Sequence, residues 1–133
     1  MLERRPDGFS DAFRDALAFG ARQSAPRLAQ CLRRIAQVQV LARALFAGAD
    51  VVILPTAPQT AFPFAQGAPV NQADLTALAS LAGCPACAVP MGRDAEGLPM
   101  SLQIVAPAWR DGLCLRVAAA FETVLGWTPR LID

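Results

Sequence analysis

Residues 73–90 read ADLTALASLAGCPACAVP, and the reading of this stretch decides the fold. Asn71, just upstream, is a candidate N-cap, and Asp74 suits the positive end of a helix dipole. Leu75, Leu78, Leu81 and Ala82 follow at three- and four-residue steps, which predicts an amphipathic helix. Gly83 can take the left-handed conformation that closes a helix, and Pro85 blocks its continuation. Ala86 to Val89 then reads as a short strand, closed by Pro90. The stretch is a helix-to-strand turn. Its C-x-x-C, Cys84 and Cys87, fits neither usual role. Structural zinc takes four ligands, and here there is one pair, two distant single cysteines and no His. A redox pair sits at a helix N-terminus, whereas Cys84 follows a helix C-terminus, where the dipole disfavours a thiolate. Two small apolar packing residues is the remaining reading. No metal and no cofactor are expected.

Downstream, 91–99 (MGRDAEGLP) is a polar turn and 100–106 (MSLQIVA) a second strand, so the two strands predict a hairpin. Asp94 and Glu96 in that turn would need burial to separate their pKa values for catalysis. With Arg93 beside them they read as solvated surface. Asp111 opens a last helix with an inner stripe of Leu113, Val117, Phe121 and Val124. Gly126 ends it, and Trp127 is expected to fold back on the same surface.

Upstream, Asp50 precedes VVILP at 51–55, four apolar residues that predict a strand buried on both faces. The stretch from Thr56 to Val70, rich in Pro, Ala and Gly, predicts an ordered loop with Phe62 and Phe64 as anchors. Ser10 looks like the cap of a first helix, with Phe13, Ala16 and Leu17 on one face and Gly20 as its stop. Ser24 opens a longer helix, with Pro26 in its first turn. Its stripe runs through Leu28, Cys31, Leu32, Ile35, Val38, Ala42, Leu45 and Phe46 to Gly48. The order is helix, helix, strand, loop, helix, strand, strand, helix, an α/β layered arrangement in one domain over 1–133.

Three short strands make a poor sheet by themselves. Apolar residues are 54% and charged residues 17% of the chain, against about 45–50% and about 25% in ordinary soluble domains. A small domain needs more polar surface, not less. Both facts predict that something covers part of this chain. Net charge is +1 with no basic stripe, which argues against nucleic acid as a partner. No run of 18 apolar residues occurs, so no membrane-spanning helix is expected. The first residues lack the apolar core of an export signal, and four irregularly spaced cysteines suit a reducing compartment. A cytoplasmic location is the expectation. The 133 residues contain no His and no Tyr, and all twelve basic residues are Arg. No Ser–His, Cys–His or Ser–Lys pair can be assembled from them, since Arg stays protonated.

Taken together, DVVILPTAP (50–58), ADLTALASLAGCPACAVP (73–90) and GLPMSLQIVAP (97–107) resemble the C-terminal part of the amidase signature enzymes. GFSDAFRDALAFGARQSA (8–25) resembles the segment before that family's long helix. The resemblance covers nearly the whole chain in the family's order. It implies the C-terminal part of a layered α/β/α fold with a mixed sheet. The activity it implies is amide C–N hydrolysis through a serine acyl-enzyme. The family's Ser–(cis-Ser)–Lys triad lies upstream of the matching region, so no catalytic residue is assigned here and the chain is expected to be inactive alone. The helix before the G-x-P turn lies near the acyl side of the substrate channel in that family. On that basis Asp74, Thr76 and Ser80 are the candidate substrate-binding residues. The implied partners are the missing amidase core, or a second copy through the apolar face, with a small amide substrate when complete. The alternative is a non-catalytic, self-associating or partner-binding module derived from the same fold. Departures exist: Ser80 stands for the family's Asn, and Ser101 and Ala106 stand for glycines. Asp15 and Ala16 stand where amidotransferase-type members carry paired basic residues, which leans toward a general amidohydrolase. Gln103 matches, and if buried it would satisfy backbone groups.

Overall fold

The computed structural model describes residues 8–126. They form seven regular elements. These are α1 (Asp11–Ala21), α2 (Ala25–Leu45), β1 (Val52–Pro55), α3 (Asp74–Ala82), β2 (Ala86–Arg93), β3 (Pro99–Val105) and α4 (Asp111–Leu125), with a short 3-10 turn at Phe64–Gln66. The order is the predicted one. The chain divides into two compact units, one through Ala36 and one from Gln37, and the boundary falls within α2.

In the first unit, the Ser10 hydroxyl accepts the Phe13 N–H at 3.3 Å, the expected cap. Phe9 stacks on Phe13 with ring centroids 5.3 Å apart. Gly20 is not the stop. The helix runs on to Ala21, and its C-cap Arg22 is right-handed (φ −82°). The end is held instead by the Gln23 side chain, whose Nε2 donates to the Phe19 carbonyl at 2.9 Å. Ser24 then caps α2 by accepting the Arg27 N–H. Leu28 and Leu32 of the apolar stripe are more than half exposed.

In the second unit, the sheet order is β1-β3-β2 and both pairings are antiparallel. Among the described residues the strands therefore form no parallel pair. A mixed sheet would require strands beyond these three. β3, not β1, is the central strand. Leu102 to Ala106 are all buried, because the middle strand alone has neighbours on both edges. β1 was expected to be covered on both faces, yet it is an edge strand and Ile53 is 44% exposed. Position in the sheet overrides its apolar composition. β2 runs past Pro90 to Arg93, because a register shift between Pro90 and Gly92 accommodates the proline.

α4 packs on β2 and β3, over Val89, Leu102 and Ile104. Its buried residues are Cys114 and Ala118, whereas Leu113, Val117 and Phe121 flank them and Val124 is 83% exposed. Three of the four expected stripe residues thus pack on the core, around the more deeply buried Cys114 and Ala118, and Val124 does not. The sheet face is already bulky, so small residues sit directly beneath the helix and large ones fill the sides. Asp111 is the first helical residue rather than the cap, which is Arg110. Gly126 closes the helix in the left-handed region, as predicted (φ 59°). Trp127 lies outside the described residues. The end of α2 contributes the buried Ala42 to this unit, and the Gln39 side chain donates to the Leu81 carbonyl at the end of α3.

Candidate functional site

The helix-to-strand turn forms as the sequence predicts. Gly83 is left-handed (φ 69°, ψ 36°), and the Cys84 N–H closes back on the Ala79 carbonyl at 3.0 Å. The helix begins at Asp74 with Ala73 as its cap. Asn71 contributes its carbonyl to the Asp74 N–H rather than a side-chain cap. Ala79 is buried and Leu75, Leu78 and Ala82 are half-buried, while Leu81 is 38% exposed. Two successive three-residue steps, 75 to 78 to 81, each fall about 60° short of a full turn, so Leu81 drifts off the face.

The three candidate substrate-binding residues are all exposed. Thr76 and Ser80, four residues apart, share one outward stripe opposite the buried face. The Thr76 hydroxyl donates to the Ala73 carbonyl at 3.2 Å. Asp74 lies in the first turn, more than about 100° around the helix from either. The helix therefore brings Thr76 and Ser80 together and keeps Asp74 apart.

A second feature sits at the end of β1. Pro55 and the following loop face Met91, Met100 and Ser101 of the hairpin across a concavity of about 440 Å³. Gln59, Thr60 and Ser101 supply its polar lining, and no titratable group lines it. It is fitted to hold a neutral group, not to move a proton. The loop that walls it is tied down at two places. The Gln59 amide donates to the Gln72 side-chain oxygen just before α3. Asp94 in the hairpin turn accepts N–H groups from Glu96 at 3.0 Å and Leu98 at 2.8 Å. Desolvation is the largest single influence on Asp94 and raises its pKa. The opposing hydrogen bonds from the Thr60 side chain and the Leu98, Glu96 and Gly97 backbone hold it below the ordinary carboxylate value. Asp94 is thus a turn-forming residue, not a merely solvated one. The D-x-x-G spacing of Asp94 and Gly97 was the available signal for it. Glu96 is exposed, as expected.

Gln103 is 3% exposed and donates to the Leu75 carbonyl at 2.9 Å and to the Pro55 carbonyl at 3.4 Å. It ties the central strand to α3 and to the start of the loop, and it serves backbone groups as expected. Phe64 does not anchor the loop. It is fully exposed, because the 3-10 turn carries it outward.

Cys84 and Cys87 are half-buried free thiols. Cys87 packs against the core cluster that includes Cys114. The Cys114 thiol donates to the Ile104 carbonyl at 3.1 Å. Burial first, then Cys87 and Asp111, push its pKa up. Among the described residues no three His, Cys, Asp or Glu side chains converge, and no helix is long and apolar enough to cross a membrane.

The family model described as Amidase matches residues 4–115. Over 102 residues the chain is 44% identical to a glutamyl-tRNA(Gln) amidotransferase subunit of Renibacterium salmoninarum, covering 68% of this chain and 19% of that protein. Over 112 residues it is 35% identical to fatty acid amide hydrolase of Medicago truncatula, covering 77% of this chain and 18% of that one. A crystal structure of an amidase superposes with a TM-score of 0.77 at 27% identity, over 94% of this chain and 31% of that one. The chain spans about a fifth of the length of these two curated relatives. Relatives of both the amidotransferase and the hydrolase class match, so the lean toward hydrolases drawn from Asp15 and Ala16 finds no separate support.

Proposed function

Since the chain belongs to the amidase family, we propose that it is the C-terminal scaffold and pocket-wall segment of an amidase-type C–N hydrolase, inactive by itself. The observation that carries this is the match over 4–115 in a sequence with no Lys and no His. The fold is the family's, and the Lys or His that would take the proton of a serine is absent from these residues. The reaction is acyl transfer. A serine of the core attacks the amide carbonyl, the amine leaves with a proton, and water then releases the acid from the acyl-enzyme.

This chain's part is positional. The turn at Gly83 sets the direction of α3 relative to β2, and Gln103 fixes α3 to the sheet. The exposed Thr76 and Ser80 stripe would wall the acyl side of the substrate. Asp74, at the mouth of the same helix, would reach only a polar end of it. The concavity beside Ser101 supports the same reading, because its lining suits a neutral amide-bearing group.

The test is turnover. The purified 133-residue chain should hydrolyse no simple amide such as acetamide or benzamide, and adding an amidase core that lacks this segment should restore hydrolysis. Turnover by the chain alone would overturn the proposal. A stable symmetric oligomer that binds no core would favour the non-catalytic, self-associating module instead.

A further inference from the structure

The sheet separates the two cysteines of the C-x-x-C. Cys84 lines a cavity of about 390 Å³ with Gln39, Ala42 and Arg43 of α2 and Ala82 of α3. Cys87 is opposite Ile104 in the ladder, and the side chains of directly opposed residues share one face. That face is the one under α4, where Ile104 and Cys114 belong to one buried cluster and Cys87 packs against it. α3 lies on the other face, because Gln103, next to Ile104 and so pointing the opposite way, reaches the Leu75 carbonyl. Cys84 and Cys87 therefore face different elements.

The thiol that Cys87 faces comes from α4. The Cys114 sulfur donates at 3.1 Å to the carbonyl of Ile104, the ladder partner of Cys87. The Cys87 backbone lies within hydrogen-bonding reach of the same sulfur. A sulfur held against the backbone of a second cysteine, whose side chain rises on the same side, matches the close approach a disulfide requires. The two thiols differ in reach. Cys114 is 2% exposed, whereas Cys87 is half-buried. Burial, then Cys87 and Asp111, keep the proton on Cys114. A reagent from solvent thus meets Cys87 first.

We propose that Cys87 and Cys114 are a reversible redox pair, closed by exchange with a small disulfide, which staples α4 to β2. The Cys87 thiolate attacks one sulfur of the small disulfide. That S–S bond breaks, one thiol leaves, and a mixed disulfide remains on Cys87. The Cys114 sulfur then attacks the Cys87 sulfur and expels the second thiol. The two cysteines lose two electrons and two protons, which leave on the two small thiols. No other oxidant is needed. The inference requires only β2, β3 and α4, so it stands apart from the functional reading above.

The probe is glutathione disulfide, added to the folded chain carrying Cys31→Ser, which removes the exposed thiol of α2. After alkylation of the remaining thiols, peptide mapping should find Cys87 joined to Cys114, with Cys84 outside the cross-link. Dithiothreitol should restore both thiols. The thermal midpoint should rise by about 5 °C or more on closure and fall back on reduction. Adding Cys114→Ser should stop the reaction at one glutathione on Cys87, and adding Cys87→Ser should leave Cys114 unreacted. If the Cys114→Ser chain does not fold, the peptide map of the Cys31→Ser chain decides. Four results overturn the inference: a Cys84–Cys87 cross-link, a Cys87 that does not react, a glutathione that persists on Cys87 while Cys114 stays free, or a lower midpoint on closure.

Discussion

Asp94 turns a polar loop into a defined hairpin turn by accepting two backbone N–H groups. Its pKa is depressed in the folded chain. Its stabilising effect is therefore fully present above the unfolded carboxylate value and is lost as pH falls through the folded one. Asp94→Asn should lower the thermal midpoint at neutral pH, and the gap to the parent should close as pH is taken below the carboxylate range. A gap independent of pH would show that shape, not charge, matters there. Gln103 is the buried counterpart. Gln103→Leu should cost about 1–3 kcal/mol in urea unfolding, because the Leu75 and Pro55 carbonyls lose their donor in a dry setting. Gln103 was legible from sequence in role but not in partners. Its two carbonyls come from segments 28 and 48 residues away. Asp94 was legible as a turn residue reached by solvent, but its hydrogen bond with Thr60 was not, because Thr60 comes from a different loop.

At the level of elements, local chemistry predicted every helix and strand, and it failed mainly at ends and faces. Gly83 and Gly126 close their helices in the left-handed region as their sequence positions imply. An added Cβ at Gly83 meets nothing within 4 Å, so Gly83→Ala should cost about 1–2 kcal/mol from backbone strain alone. By contrast, replacing Cys84 with Ala and Cys87 with Val together should leave the fold intact by circular dichroism and bound metal at zero by elemental analysis. Loss of folding together with loss of a stoichiometric metal would revive the zinc reading. Gly20 was misjudged, because the helix takes it into its last turn and ends at Ala21 with Arg22 still right-handed, so no left-handed residue is needed there. The α4 stripe held for Leu113, Val117 and Phe121 and failed at Val124, because periodicity gives the inner face of a helix but not which small residues on it, here Cys114 and Ala118, the sheet lets closest.

For the whole molecule, the excess of apolar residues reappears as exposed surface. Val40, Leu41 and Val124 are each more than 60% exposed. Leu41→Glu should therefore change the stability of the isolated chain by no more than about 0.5 kcal/mol while raising its solubility. A loss well beyond that would show that the face is already covered within the chain. By itself, the sequence determined the order of elements, the helix-to-strand turn, the family resemblance and the absence of Lys and His among these 133 residues. All of these depend on local backbone preference and residue type. Only the tertiary structure decided that β3 is central and β1 an edge, and that Asp94 and Gln103 knit the loop to the sheet. Those depend on which distant segments meet, and the short-range pattern that makes a strand carries no record of its neighbours.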